Sequence, residues 1–87
     1  MDTFDNPKLQ KTILWVLKQT QDYDMHDTDL AAEVKIAYGA PVTQQEFEAA
    51  MKKLIGERWV EKTFDFWDEP VYHITENGLT VADRTRQ

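Results

Sequence analysis

Trp59-Val60-Glu61-Lys62-Thr63-Phe64-Asp65-Phe66 and Val71-Tyr72-His73-Ile74-Thr75-Glu76-Asn77-Gly78 decide the fold of this chain, with Trp67-Asp68-Glu69-Pro70 between them. The first run alternates. Val60, Phe64 and Phe66 share one face, and Glu61, Thr63 and Asp65 share the other. A period of two is the signature of a half-buried strand. The second run is rich in β-branched and aromatic residues, and Tyr72 and Ile74 are expected to point inward. Residues 59–66 and 71–74 therefore read as an antiparallel hairpin closed by a Pro-containing turn.

Working outward, a helix precedes the hairpin. Thr43-Gln44-Gln45-Glu46 is a capping box, in which Thr43 bonds the Glu46 amide and Glu46 reaches back. The helix it starts runs over about 44–56. Phe47, Ala50, Met51, Leu54 and Ile55 recur at helical spacing and form its buried stripe. The far side carries Gln45, Ala49, Lys52 and Lys53, flanked by Glu46 and Glu48. After the hairpin, Thr75 can cap a last short helix through Leu79, Val81 and Ala82.

Two more helices stand upstream. Asn6 and Pro7 suit the N-cap and first helical position of one whose apolar stripe is Leu9, Ile13, Val16 and Leu17, with Leu14 at the margin. Trp15 lies opposite that stripe, near Lys8 and Lys11. The polar connector over residues 22–29 has room for a short extended piece around Tyr23 and Met25. Asp27 or Thr28 is the expected cap of the next helix, whose stripe is Leu30, Ala31, Val34, Ala37 and Tyr38. Gly39 and Pro41 stop that helix. The expected main core is Leu9, Ile13, Leu30, Val34, Phe47, Met51, Leu54, Val60 and Ile74.

The bulk numbers set limits. The 87 residues give room for one domain and no second core. At 41% hydrophobic and 11% aromatic, the chain can bury a core. The absence of cysteine excludes disulfides and thiolate zinc sites, and it fits a reducing, cytoplasmic setting. No apolar run approaches the length of a membrane span, and no charged-then-apolar leader opens the chain. The expectation is no membrane partner. The net charge of −6 works against non-specific binding to phosphates, although the face presented counts more than the total.

The order helix, short strand, helix, helix, strand, strand, helix resembles the winged helix-turn-helix family. The residues that carry the likeness are Leu54-Ile55-Gly56-Glu57-Arg58-Trp59-Val60-Glu61 and Tyr72-His73-Ile74-Thr75-Glu76-Asn77-Gly78-Leu79. In that family an apolar residue after the recognition helix begins the wing, and a Tyr-x-apolar-Thr-x-x-Gly segment closes it. The resemblance covers the core at about 7–84 and implies one α+β winged-helix domain over residues 1–87. It implies DNA binding in transcriptional control, with the third helix as the reader and the first and last helices as a homodimer surface. Gln45, Ala49, Lys52 and Lys53 would then face a major groove, with Lys62 as the basic residue of the wing. Gln can bond adenine, Lys can contact guanine or phosphate, and Ala permits close approach. The sequence departs from the family at the wing, where Asp65, Asp68 and Glu69 would repel phosphates.

That acidic wing opens a second reading, a non-catalytic module that binds another protein. Trp67 beside Phe66 either folds back onto the hairpin or anchors a partner within a carboxylate rim. Trp15 either packs under the N-terminal arm with Phe4 or marks a homodimer surface. A third reading is an acidic surface that imitates phosphates. Asp22, Asp24, His26, Asp27, Asp29 and Glu33 partly mimic a calcium loop, but Asp27 stands where that loop needs Gly. Capping and solvation account for those residues, so no metal and no cofactor are expected. His26 and His73 are the only histidines, neither sits in a nucleophile motif, and there is no Gly-rich phosphate loop. The chain is not expected to be an enzyme.

Overall fold

The computed structural model describes residues 6–22 and 25–84. The element order is α1 (Pro7–Gln19), β1 (Met25–His26), α2 (Asp27–Tyr38), α3 (Gln44–Gly56), β2 (Val60–Phe64), β3 (Pro70–Ile74) and α4 (Glu76–Arg84). The first three helices build the core, and the sheet closes one end of it. Phe47, Leu9, Ile13, Leu14, Leu17, Leu30, Leu54, Val34 and Val60 are the largest fully buried side chains. Met51 is buried with them, so every expected core residue is buried except Ile74, which is half-buried against the cluster. Leu14, placed at the margin by spacing, is fully buried.

Caps fix the helix starts. Asn6 Oδ1 accepts the Leu9 amide at 3.1 Å. Its Nδ2 donates to the Tyr38 hydroxyl at 3.0 Å, tying the start of α1 to the end of α2. The capping box at Thr43 is fully formed: the Thr43 hydroxyl accepts the Glu46 amide at 3.1 Å, and Glu46 Oε1 accepts the Thr43 amide at 3.2 Å. Neither Asp27 nor Thr28 caps α2. The helix starts at Asp27, its N-cap is His26, and that side chain makes no capping bond. The imidazole is turned instead to Asp65. Asp27 and Asp29 still favour the first turn through the helix dipole. Gly39, at φ 74°, ends α2 in the left-handed conformation that glycine adopts without strain. Leu30 and Val34 carry the burial of α2, while Ala37 is exposed. Tyr23 and Asp24 of the connector, and Phe4 of the arm, lie outside the described residues.

The sheet is three-stranded and antiparallel, in the order β1-β3-β2. Met25 pairs with Tyr72, Val60 with Ile74, and Phe64 with Pro70. The short extended piece at Met25 is thus a third strand beside the hairpin. The expectation that Phe66 continues the strand alternation with Val60 and Phe64 is corrected. Strand pairing stops at Phe64, Phe66 belongs to the loop, and both phenylalanines are exposed.

Candidate nucleic-acid interface

The end of α3 and the start of the hairpin are locked by one set of bonds. The Trp59 amide donates to the Leu54 carbonyl and the Arg58 amide to the Ile55 carbonyl, both at 3.0 Å. This is a Schellman closure with Arg58, at φ 63°, in the left-handed position usually given to glycine. Thr75 then ties the far strand to the same corner. Its amide donates to the Trp59 carbonyl at 3.0 Å, and its hydroxyl donates to the Arg58 carbonyl at 2.7 Å. The hydroxyl oxygen also accepts the Gly78 amide at 3.0 Å, capping α4. A Cβ on Gly78 would collide with the Trp59 carbonyl oxygen and lie 2.7 Å from Ile74 Cγ1. The Ile74-Thr75-x-x-Gly78 segment is thus a joint that needs a hydroxyl and a missing side chain.

This joint sets the angle at which α3 meets the hairpin. Phe47, Ala50, Met51 and Leu54 are buried, which turns Gln45, Lys52 and Lys53 to solvent and leaves Ala49 half-exposed. The side chains of α3 are not equivalent. Lys53 lies 3.3 Å from Glu57, and Gln44 donates to Glu48 at 3.2 Å. Among the described residues, Lys52 has no ion-pair partner. Lys52 and Lys62 line a common groove of about 450 Å³ between α3 and the hairpin, with Met51, Ile55, Pro70 and Tyr72. Asp27 and Glu48 border it too, so it carries both signs of charge. Burial, followed by the nearby Asp27 carboxylate, raises the Tyr72 hydroxyl above its ordinary value. The Lys62 ammonium rests 5.7 Å from the centre of the Phe64 ring.

The hairpin loop is a tight turn with Asp65 at its hub. The Asp68 amide donates to the Asp65 carbonyl at 3.1 Å, and the Asp65 amide donates to the Glu69 carbonyl at 3.0 Å. Asp68 takes the left-handed position at φ 59°, the geometry of a three-residue loop with a bulge. Asp65 Oδ1 accepts the amides of Trp67 and Glu69, at 2.8 and 3.0 Å. Its Oδ2 meets His26 Nε2 at 2.6 Å. These bonds hold the Asp65 carboxyl below its usual value, chiefly through His26, and raise His26 chiefly through Asp65. Asp65, read from sequence as an outward charge, is turned inward as an anchor. Nothing in the spacing of His26 and Asp65 signals that they meet.

The loop presents its aromatics outward. Phe66 is 91% exposed, Trp67 76% and Phe64 61%. Phe66 and Trp67 touch edge to face, with centroids 5.2 Å apart. Trp15, the third candidate interface residue, is 46% exposed on α1 and remote in sequence from the loop. Exposed Ile36 on α2 had no signal in the helical pattern.

No family model matches the chain, and no curated protein matches it by sequence. Solved structures do match. A MarR-family transcriptional regulator from Silicibacter pomeroyi superposes with a TM-score of 0.69 at 19% identity, covering 88% of this chain and 47% of its own. The adhesin competence repressor AdcR of Streptococcus pyogenes gives 0.68 at 24% identity, covering 87% and 52%. SSV1 F-93 gives 0.68 at 22% identity, covering 95% and 84%. The fold is a winged helix. The chain spans about half the length of the MarR-family regulator and of AdcR, and at these identities the likeness is one of fold. Within the winged helix, α3 is the helix that leads into the hairpin, the hairpin is the wing, and Phe66 and Trp67 form its tip. Among the described residues, no helix is long and apolar enough to cross a membrane.

Proposed function

We propose that this winged-helix domain binds DNA in transcriptional control, with α3 in the major groove, and that it does so as a homodimer. The observation that carries the reading is the outward face of α3. Gln45, Lys52 and Lys53 are exposed around the small Ala49, on a helix whose opposite face is fully committed to the core. Gln45 can bond an adenine edge, the lysines can reach guanine or phosphate, and Ala49 lets the helix approach. Lys62 adds a cation across the groove from Lys52. Two of the matched proteins are described as a transcriptional regulator and a repressor, which favours the same role here. The role needs no catalytic group or cofactor, and a cytoplasmic location belongs to the same proposal. Trp15 on α1 is the residue to vary for the dimer.

A salt-dependent titration against mixed genomic fragments tests the reading. Affinity is expected to fall with salt by a logarithmic slope of about 0.9 for each phosphate neutralised. Lys52→Ala should flatten that slope by about one contact. Lys53→Ala should do less, because Glu57 already shares its ammonium. Binding that ignores both salt and Lys52 would remove the proposal.

One observation favours a second reading. The tip exposes Phe64, Phe66 and Trp67 beside Asp68 and Glu69, an apolar centre with an acidic rim. A module that grips a protein through this tip would lose about 2 kcal/mol or more of binding on Trp67→Ala. It would ignore Lys52→Ala. DNA binding predicts the reverse ranking.

A further inference from the structure

The sheet brings one distant side chain, His26, to two side chains of the hairpin loop that can ligate with it. His26 ends β1, Asp65 follows β2, and Glu69 precedes β3. His26 Nε2 lies 2.6 Å from Asp65 Oδ2 and 3.7 Å from Glu69 Oε2. One donor atom from each residue falls within 4.8 Å of the other two. Asp65 is oriented from behind, since its Oδ1 is held by two loop amides and only Oδ2 faces the imidazole. Such outer bonds are what hold a metal ligand in place.

A hydrogen bond alone does not use this arrangement in full. One Nε2–H serves one good acceptor. Asp65 takes it, and the Glu69 oxygen at 3.7 Å lies beyond hydrogen-bond reach. A divalent ion in place of that proton would engage all three groups. Zinc bonds of about 2.0–2.2 Å in a tetrahedron set donor atoms roughly 3.4 Å apart. On that geometry the His26–Asp65 separation must open and the His26–Glu69 one close, each by less than about 1 Å, while the two carboxylates, within 4.8 Å of each other, must close by up to about 1.4 Å. Glu69 is exposed and His26 half-buried, so both have room to turn.

We propose that His26 Nε2, Asp65 Oδ2 and the Glu69 carboxylate bind one first-row divalent cation of the zinc type, clamping the wing loop to the junction of β1 and α2. The imidazole favours such an ion over magnesium or calcium, the chain has no thiol to select a softer one, and water completes the shell. The proton displaced from Nε2 goes to solvent. The ion also cancels two of the three carboxylates of the wing loop.

Calorimetric titration of zinc chloride into the full chain, in a non-coordinating buffer, is the test. One ion per chain is expected, with magnesium at equal concentration failing to compete. His26→Ala and Glu69→Gln should each weaken zinc binding by at least about tenfold. Glu69→Gln keeps every backbone bond to Asp65, so it stands even if His26→Ala disturbs the fold. His73→Ala, at the other histidine, should bind as the wild type does. Zinc should shift the amide resonances of His26 and residues 65–69. No saturable binding, wild-type affinity in Glu69→Gln, loss in His73→Ala, or shifts centred elsewhere would each overturn the proposal. No DNA enters the experiment, so its outcome is independent of the reading of α3.

Discussion

The two ends of the hairpin obey opposite rules. At its base, Val60 is buried, Ile74 packs on the core, and Thr75 and Gly78 bind the Arg58–Trp59 corner with hardly an atom to spare. At its tip, three aromatics stand in water. Burial at the base is stabilising and leaves little freedom of sequence. Exposure at the tip contributes little to folding. Stability should therefore be concentrated at one end of the hairpin, and binding chemistry left free to vary at the other.

The largest effect is expected beneath the base. Leu54→Ala should cost about 2–5 kcal/mol in denaturant unfolding, because Leu54 is fully buried where α3 meets the hairpin. A loss well under 1 kcal/mol would mean that the core does not centre there. Gly78→Ala should cost about 1–3 kcal/mol by overpacking, since the new methyl meets backbone that cannot rotate away. An unchanged midpoint for that variant would dissolve the joint. The two left-handed residues offer a finer comparison. Arg58→Gly at the base and Asp68→Gly at the tip should each relieve backbone strain, by up to about 1 kcal/mol. At the tip itself, Trp67→Ser should leave stability within about 0.5 kcal/mol. A larger loss would show that the aromatics pack in solution.

The contrast also explains how much the sequence disclosed. The span of α3, its capping box, its buried stripe and the hairpin behind it were all legible, because each rests on local periodicity or on a cap within four residues. The α3 face of Gln45, Ala49, Lys52 and Lys53 followed from the same stripe. The tip misled for the same reason: alternation past Phe64 continues in the sequence after strand pairing has stopped. The bond from His26 to Asp65 spans 39 residues and was invisible, because only the sheet register brings the two together. The expected cap of α2 at Asp27 or Thr28 failed separately, because the helix starts at Asp27 and leaves His26 in the N-cap position.

That latch has a predictable pH response. His26 is raised in the folded state, so its contribution is complete below its ordinary value of 6.5 and is lost as pH climbs through the raised one. Asp65 is lowered, so its contribution is complete above 3.8 and is lost as pH falls through the lowered value. The loop should be held best between those two limits. Amide exchange at residues 65–69, corrected for the intrinsic rate, should quicken on either side of that window, while Leu54 in α3 stays protected. Uniform loosening of both regions would show that the latch is not a separate unit.

The central claim is that α3, and not the wing tip, meets DNA. Amide resonances followed during titration with short mixed duplexes test it most directly. The account predicts shifts at Gln45, Ala49, Lys52 and Lys53 that shrink with added salt, with Phe66, Trp67 and Asp68 little changed. Shifts centred on residues 66–68 with α3 silent, or no shifts at low salt, would contradict it.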